Sequence, residues 1–245
     1  MQNLSSHLEM SRSYTAVLFD LDGTLLDFHA CEVNSLKKAL VSVGMGFEGG
    51  LTWARLWEIY APLKSYHWRK KSAGEINREQ AIENAIRDTL RALNLDESLA
   101  SPVSENYMRA FVQAGYVQPG AHETLEWLKG RVALGMVTNG YQDAQRGRAE
   151  AARLVPYFDA IIVSEEVGLE KPDPRIFHLA LSQLGLRPSE AIYVGDSIEF
   201  DYKGALSAGI DFCHYDPKGF RPELDPEPAL RILTLQELTR YISSD

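Results

Sequence analysis

Short apolar runs alternate with helical periods over most of the chain, and one long stretch interrupts the alternation. Thr15 to Phe19 is a β-branched and apolar run ending in Asp20-Leu21-Asp22-Gly23-Thr24, the pattern of a buried strand that delivers a polar loop. From Asp27 to about Gln113 the period becomes helical throughout. Val33, Leu36 and Leu40 recur on one face, and Ile82, Ala85, Ile86, Leu90 and Leu93 on another. Past Pro119-Gly120 strands return between helices. A helix from His122 to Lys129 precedes a strand over Val132 to Val137, and a helix from Gln142 to Ala152 precedes a strand over Ala160 to Val163. A helix after Pro174, a strand from Ala191 to Val194, a helix from Tyr202 to Ala208 and a strand from Ile210 to His214 follow. Such alternation predicts an α/β fold: a doubly wound parallel sheet with right-handed crossovers and helices on both faces. The predicted division is a core of residues 13–27 and 114–245 around an all-helical insertion, 28–113. Pro217 to Pro228 reads as irregular, with a helix expected beyond it.

Composition narrows the class. A chain of 245 residues buries a substantial core without staples, and its two cysteines, Cys31 and Cys213, form no CxxC pair. A reducing cytoplasm is the expected compartment. No apolar run approaches membrane-spanning length, and the first dozen residues lack the pattern of a signal peptide. A net charge of −9 argues against nucleic-acid polymers and anionic membranes as partners. A small anionic metabolite remains compatible, since a few local donors and a metal ion suffice to hold one. A monomer or homodimer is expected.

The predicted strand ends carry the chemistry. Asp20 and Asp22 follow the first, Thr138-Asn139-Gly140 the second, Lys171 lies a few residues past the third, and Gly195-Asp196 with Asp201 follow the fourth. Ligands in open α/β sheets sit at the carboxyl ends of strands, so these groups should converge. Clustered carboxylates repel one another unless cations are supplied. Oxygen ligation suits a hard ion such as Mg²⁺, with Asp20, Asp196 and the backbone carbonyl of Asp22 as candidate ligands.

Taken in order, DLDGTL, TNG, EKPDP and GDSIEFD resemble the four motifs of the haloacid dehalogenase superfamily, over residues from about 15 to 215. The resemblance implies a Rossmann-like core with a helical cap inserted between the first and second motifs. It implies a Mg²⁺-dependent phosphomonoesterase in which Asp20 attacks phosphorus, and Asp22 protonates the leaving alkoxide and then deprotonates water. Thr138 and the backbone N–H of Asn139 would hold the phosphate, Lys171 would neutralise charge on it and on Asp20, and Asp196 would ligate the metal with Asp201 behind it. Val194 to Pro217 is similar to pyrimidine 5′-nucleotidases, which makes nucleoside 5′-monophosphates the favoured substrates. Phosphatases of sugar or N-acylneuraminate phosphates share a similar core. A phosphomutase and a catalytically silent binding module also remain open. The halide-cleaving members lack an acid at the position of Asp22, so carbon–halogen cleavage is not expected.

Other patterns carry less. The closing Glu of a calcium loop would fall where Cys31 stands. Gly44 to Gly49 matches GxGxxG but follows a helical pattern and reads as a loop. Trp53, Trp57, Tyr60, Tyr66 and Trp68 read as helical-domain core, and His67, Arg69, Lys70 and Lys71 as a solvated charged face. Lys37 and Lys64 have no surroundings that would make either a Schiff-base lysine.

Overall fold

The computed structural model describes residues 14–47 and 51–242. Its chain separates into two compact units, one made of the chain through Phe28 together with Gly115 onward, the other of His29–Ala114.

The first unit is built on strands β1 (Ala16–Phe19), β2 (Ala133–Thr138), β3 (Ala160–Val163), β4 (Ala191–Gly195), β5 (Asp211–Tyr215) and β6 (Leu230–Ile232). They form one parallel sheet in the order β3-β2-β1-β4-β5-β6. Between the strands run α5 (Ala121–Leu128), α6 (Gln142–Ala151), α7 (Ser164–Val167), α8 (Pro174–Leu184) and α9 (Lys203–Ser207). Helices α1 (Phe28–Ser42), α2 (Trp53–Ser72), α3 (Arg78–Ala92) and α4 (Ala100–Val112) make up the second unit, with Phe28 at the junction.

Burial on both faces explains why the strands read as continuous apolar runs. Val17 and Phe19 of β1 face one core with Leu125 and Leu128 of α5, Ala149 of α6 and Leu235 and Leu238. Ala16 and Leu18, their neighbours in sequence, face the other with Ile176, Phe177, Ala180 and Leu181 of α8. The two-residue period of a strand thus fills two layers at once. This is the doubly wound sheet expected from the sequence.

Three elements differ from expectation. Strand β6 follows the Pro-rich stretch and pairs with β5, and its three residues are too few to show a period. The expected C-terminal helix is a 3₁₀ segment, Leu235–Arg240. The helix expected from Tyr202 begins earlier, as a π-helical turn over Ile198–Tyr202 that leads into α9.

In the helical unit, Asn77 and Gln80 cap α3 reciprocally, and the apolar period of α3 buries Ala81, Ile82, Ala85, Ile86 and Leu90. The aromatic residues of α2 do not all enter its core. Tyr60 is buried, whereas Tyr66 and Trp68 are exposed and Trp53 and Trp57 lie half-buried beneath Lys37 and Lys64. His67 also departs from the solvated face assigned to it. It is buried with Nε2 2.7 Å from Asp88 Oδ2 of α3, because α2 packs along α3 at that point. Gly44–Phe47 follow α1 without regular structure, and Glu48–Gly49 of the same motif lie outside the described residues. Both cysteines are buried. Among the described residues no helix is long and apolar enough to cross a membrane.

Phe177 joins the packing to the strand ends, since its ring meets Tyr193 of β4 edge to face at 4.9 Å and is fully buried. Phe177→Ala should lower unfolding free energy by about 3–5 kcal/mol. Chemical denaturation checks this, and a loss below ~1 kcal/mol would show that the layer under Tyr193 collapses around the deletion.

Candidate active site

The sheet order fixes where a site can form. From β1 the chain first adds strands on one side, β2 then β3, and afterwards on the other, β4 to β6. At that reversal the connections leave in opposite directions and open a crevice beyond the carboxyl ends of β1, β2 and β4. Asp20 follows β1, Thr138 ends β2, and Asp196 follows β4. The convergence expected of these groups is therefore a consequence of topology.

Lys171 lies at the centre. Only 3% of its side chain is exposed, and its ammonium donates to Asp20 Oδ1 at 2.6 Å, Asp201 Oδ1 at 2.7 Å and the Tyr193 hydroxyl at 3.0 Å. Burial pulls the lysine down, but the charges of Asp20 and Asp201 outweigh it and hold the ammonium above its ordinary range. The Tyr193 hydroxyl donates onward to the Val137 carbonyl at 2.9 Å. The backbone of Lys171 is held as firmly: Asn139 Nδ2 donates to its carbonyl at 2.9 Å, and its N–H donates to Asn139 Oδ1 at 2.8 Å. The Asn139 side chain is thus spent on structure, which leaves its main chain as the part available to a ligand.

The acids are in excess. Asp20, Asp196 and Asp201 each offer an oxygen within 4.8 Å of the others. Burial pushes Asp20 upward more than Lys171 draws it down, with Asp201 and Asp196 adding to the rise. Asp196 keeps solvent contact while its carboxylate lies against Gly23 and accepts from Thr24 Oγ1 at 3.3 Å. Burial and the charge of Asp201 push it up to about 6. Gly23 sits at φ +88°, and a Cβ there would come within 2.4 Å of Asp196 Oδ2, so the first loop can close on Asp196 only as glycine. Asp201 is fully buried, and the π-helical turn returns its carboxylate to the strand end, where Oδ2 accepts from Ser197 N–H at 3.0 Å.

Asp22 belongs to a separate network. Arg148 of α6, 1% exposed, grips both of its oxygens, Nη1 to Oδ1 at 2.6 Å and Nη2 to Oδ2 at 2.7 Å. Gln145 Nε2 lies 3.1 Å from Asp22 Oδ2, 2.6 Å from Thr138 Oγ1 and 2.8 Å from the Asn139 carbonyl. The sequence reading did not single out Arg148, Gln145, Thr24 or Tyr193. Gln145 and Arg148 stand three apart on the α6 stripe that also buries Ala144 and Ala149, a face that only two alanines mark in the sequence.

A carboxylate at a strand end, paired with a buried lysine and flanked by two further acids, is suited to nucleophilic attack beside a hard cation. The comparisons identify the family. A model described as haloacid dehalogenase-like hydrolase matches residues 14–209. Pyrimidine 5′-nucleotidase PynA of Streptococcus pneumoniae is 28% identical over 92% of this chain and 93% of its own length. Ribulose-1,5-bisphosphate 5-phosphatase of Halopiger xanaduensis is 31% identical over 94% of this chain and 99% of its own. The solved structure of the HAD-hydrolase YfnB of Bacillus subtilis, bound to magnesium, superposes with a TM-score of 0.77 at 25% identity, covering 93% of this chain and 98% of that one. With the family model spanning most of its length, the chain belongs to the haloacid dehalogenase-like hydrolases.

Proposed function

We propose that the protein is a Mg²⁺-dependent phosphomonoesterase that forms an aspartyl-phosphate on Asp20, with nucleoside 5′-monophosphates as its favoured substrates. The observation that carries the reading is Asp20 itself, buried at the end of β1 with one oxygen on the Lys171 ammonium and two acids within metal-binding distance. In the first half-reaction Asp20 attacks phosphorus, the bond to the leaving oxygen breaks, and Asp22 gives that oxygen its proton. In the second, water attacks the aspartyl-phosphate, Asp22 takes a proton from it, and the bond between phosphorus and Asp20 breaks. Lys171 offsets negative charge on Asp20 and on the phosphoryl group. Thr138 and the main-chain N–H of Asn139 are assigned to the phosphate oxygens.

The donor set fits Mg²⁺, since it consists of oxygens only. Asp20, Asp196 and the backbone carbonyl of Asp22 are assigned as ligands. Asp201, with its two oxygens on Lys171 and Ser197, is assigned to orient the others. The ion would supply positive charge against the phosphoryl oxygens. The helical unit, residues 28–113 in the sequence reading, is assigned the role of cap and of specificity determinant.

The nucleotide reading is supported by the name of the PynA relative and by the similarity of Val194 to Pro217 to such nucleotidases. A sugar phosphate is the second reading, favoured by the ribulose-bisphosphate phosphatase at 31% identity. Phosphate release from a panel of nucleoside monophosphates and sugar phosphates separates the two. Mg²⁺-dependent release that EDTA and Asp20→Asn each abolish is the expected result, with nucleoside monophosphates preferred. An active Asp20→Asn enzyme would refute the covalent mechanism.

Metal binding has a second signature. An aspartate raised from 3.8 to about 6 on folding stabilises the metal-free protein below about pH 4 and loses that contribution as pH climbs through 6. A cation that requires the ionised carboxylate reverses the loss. Excess Mg²⁺ should therefore raise the melting temperature more at about pH 7.5 than at about pH 5. Equal shifts at the two values would remove Asp196 from the ligand set.

A further inference from the structure

A further buried cation of the core unit, Arg148, has no part in the mechanism just given, although it is among the largest fully buried side chains of the described residues. Its planar fork takes both oxygens of one carboxylate, and that carboxylate is Asp22. The guanidinium is fixed in turn: Nε donates to the Ala144 carbonyl at 3.2 Å, Nη2 donates to Gln145 Oε1, and Phe28 lies with its ring centre 5.8 Å from Cζ. The Gln145 amide nitrogen carries two hydrogens and faces three acceptors, Asp22 Oδ2, Thr138 Oγ1 and the Asn139 carbonyl, so at least one hydrogen is shared. Gly140 leaves room for this arrangement. It sits at φ +144°, and a Cβ there would come within 2.9 Å of Gln145 Cδ.

Asp22 lies in a loop, yet its carboxylate is oriented by a helix that begins 120 residues later in the chain. A surface aspartate would need no such device. Burying a guanidinium is costly unless partners meet it with good geometry, and here each of its three nitrogens donates to an acceptor.

We propose that Arg148 and Gln145 are positioning residues that hold the Asp22 carboxylate in the orientation from which it serves both half-reactions. The inference rests on the phosphomonoesterase reading. It adds that α6, through this clamp, sets the efficiency of proton transfer, whereas Lys171 and the metal ligands set nucleophilic attack. The two half-reactions depend on the clamp unequally when the leaving group is varied. Nitrophenolate departs without a proton, so phosphorylation of Asp20 by p-nitrophenyl phosphate needs little from Asp22. Hydrolysis of the aspartyl-phosphate still needs Asp22 to take a proton from water. An alkyl phosphate needs it in both steps.

The test is rapid-mixing kinetics of the whole chain with Mg²⁺, using p-nitrophenyl phosphate and the best alkyl phosphate of the substrate panel. In Arg148→Met and in Gln145→Leu, steady-state turnover should fall by ~10²-fold or more, the scale of positioned proton transfer. With p-nitrophenyl phosphate, a burst of nitrophenolate approaching one per active site should precede the slow phase. Arg148→Lys, which keeps the charge and loses the fork, should show an intermediate burst and rate. A parallel loss on both substrates with no burst would assign Arg148 and Gln145 to structure alone and overturn the proposal. Unchanged or faster turnover would also overturn it, by showing that the clamp holds Asp22 away from its work. If Arg148→Met fails to fold, Gln145→Leu and Arg148→Lys decide by the same criteria. An inactive wild type would sink the phosphatase reading and this inference with it; an active wild type with variants lacking the burst would sink the inference alone.

Discussion

A lysine ammonium with almost no solvent contact requires negative charge within hydrogen-bond reach, and Lys171 receives it from Asp20 and Asp201. The requirement is mutual. Either acid without the lysine would be a buried charge facing another of the same sign, and breaking such a pair costs about 3–5 kcal/mol. Three distant pieces of chain are thereby tied together: the loop after β1, the segment between β3 and α8, and the π-helical turn after β4. Hydrophobic burial on both faces of the sheet brings the strand ends close, and this ion triad decides how their side chains meet.

The triad does not balance. Asp20, Asp196 and Asp201 are three carboxylates against one ammonium, and Asp196 is pushed up to about 6 by burial first and by the charge of Asp201 second. A second lysine would still leave one negative charge uncompensated. A hard divalent ion would supply both missing charges while leaving exchangeable positions for substrate oxygens. The residual charge is a site property that an ordinary structural ion pair would not retain.

Legibility in the sequence followed burial and chain direction. Strands β1 to β5 read correctly because both of their faces are covered, so each is built around a short apolar run between turn residues, interrupted in β5 by His214. Strand β6 is three residues long and borders the Pro-rich stretch, and no periodicity can be read from so short a segment. Asp20, Lys171, Asp196 and Asp201, which the structure brings together, stood out in the sequence because they lie in loops that follow predicted strands, as does Asp22. Arg148 and Gln145 reach the same region from the buried face of a helix, where charge and amide look like ordinary surface composition until the face is known. His67 was misplaced for the same reason: its sequence neighbours Arg69 to Lys71 are charged and at least partly exposed, but the α2 turn carries it against Asp88.

The two cation–carboxylate systems meet at one short turn. The Asn139 side chain fastens the backbone of Lys171, and the Asn139 carbonyl accepts from Gln145, which touches Asp22 and Thr138. The end of β2 therefore stands between the group proposed to attack and the group proposed to move protons, and it sets the position of both without being either. Two acids two residues apart, proposed to serve opposite roles, must be kept from competing for the same cation. Giving Asp20 a lysine and Asp22 an arginine accomplishes this, and the Asn139 turn fixes the two pairs relative to each other. A substitution at Asn139 would consequently disturb attack and proton transfer together, whereas a substitution at Lys171 or Arg148 acts first on one.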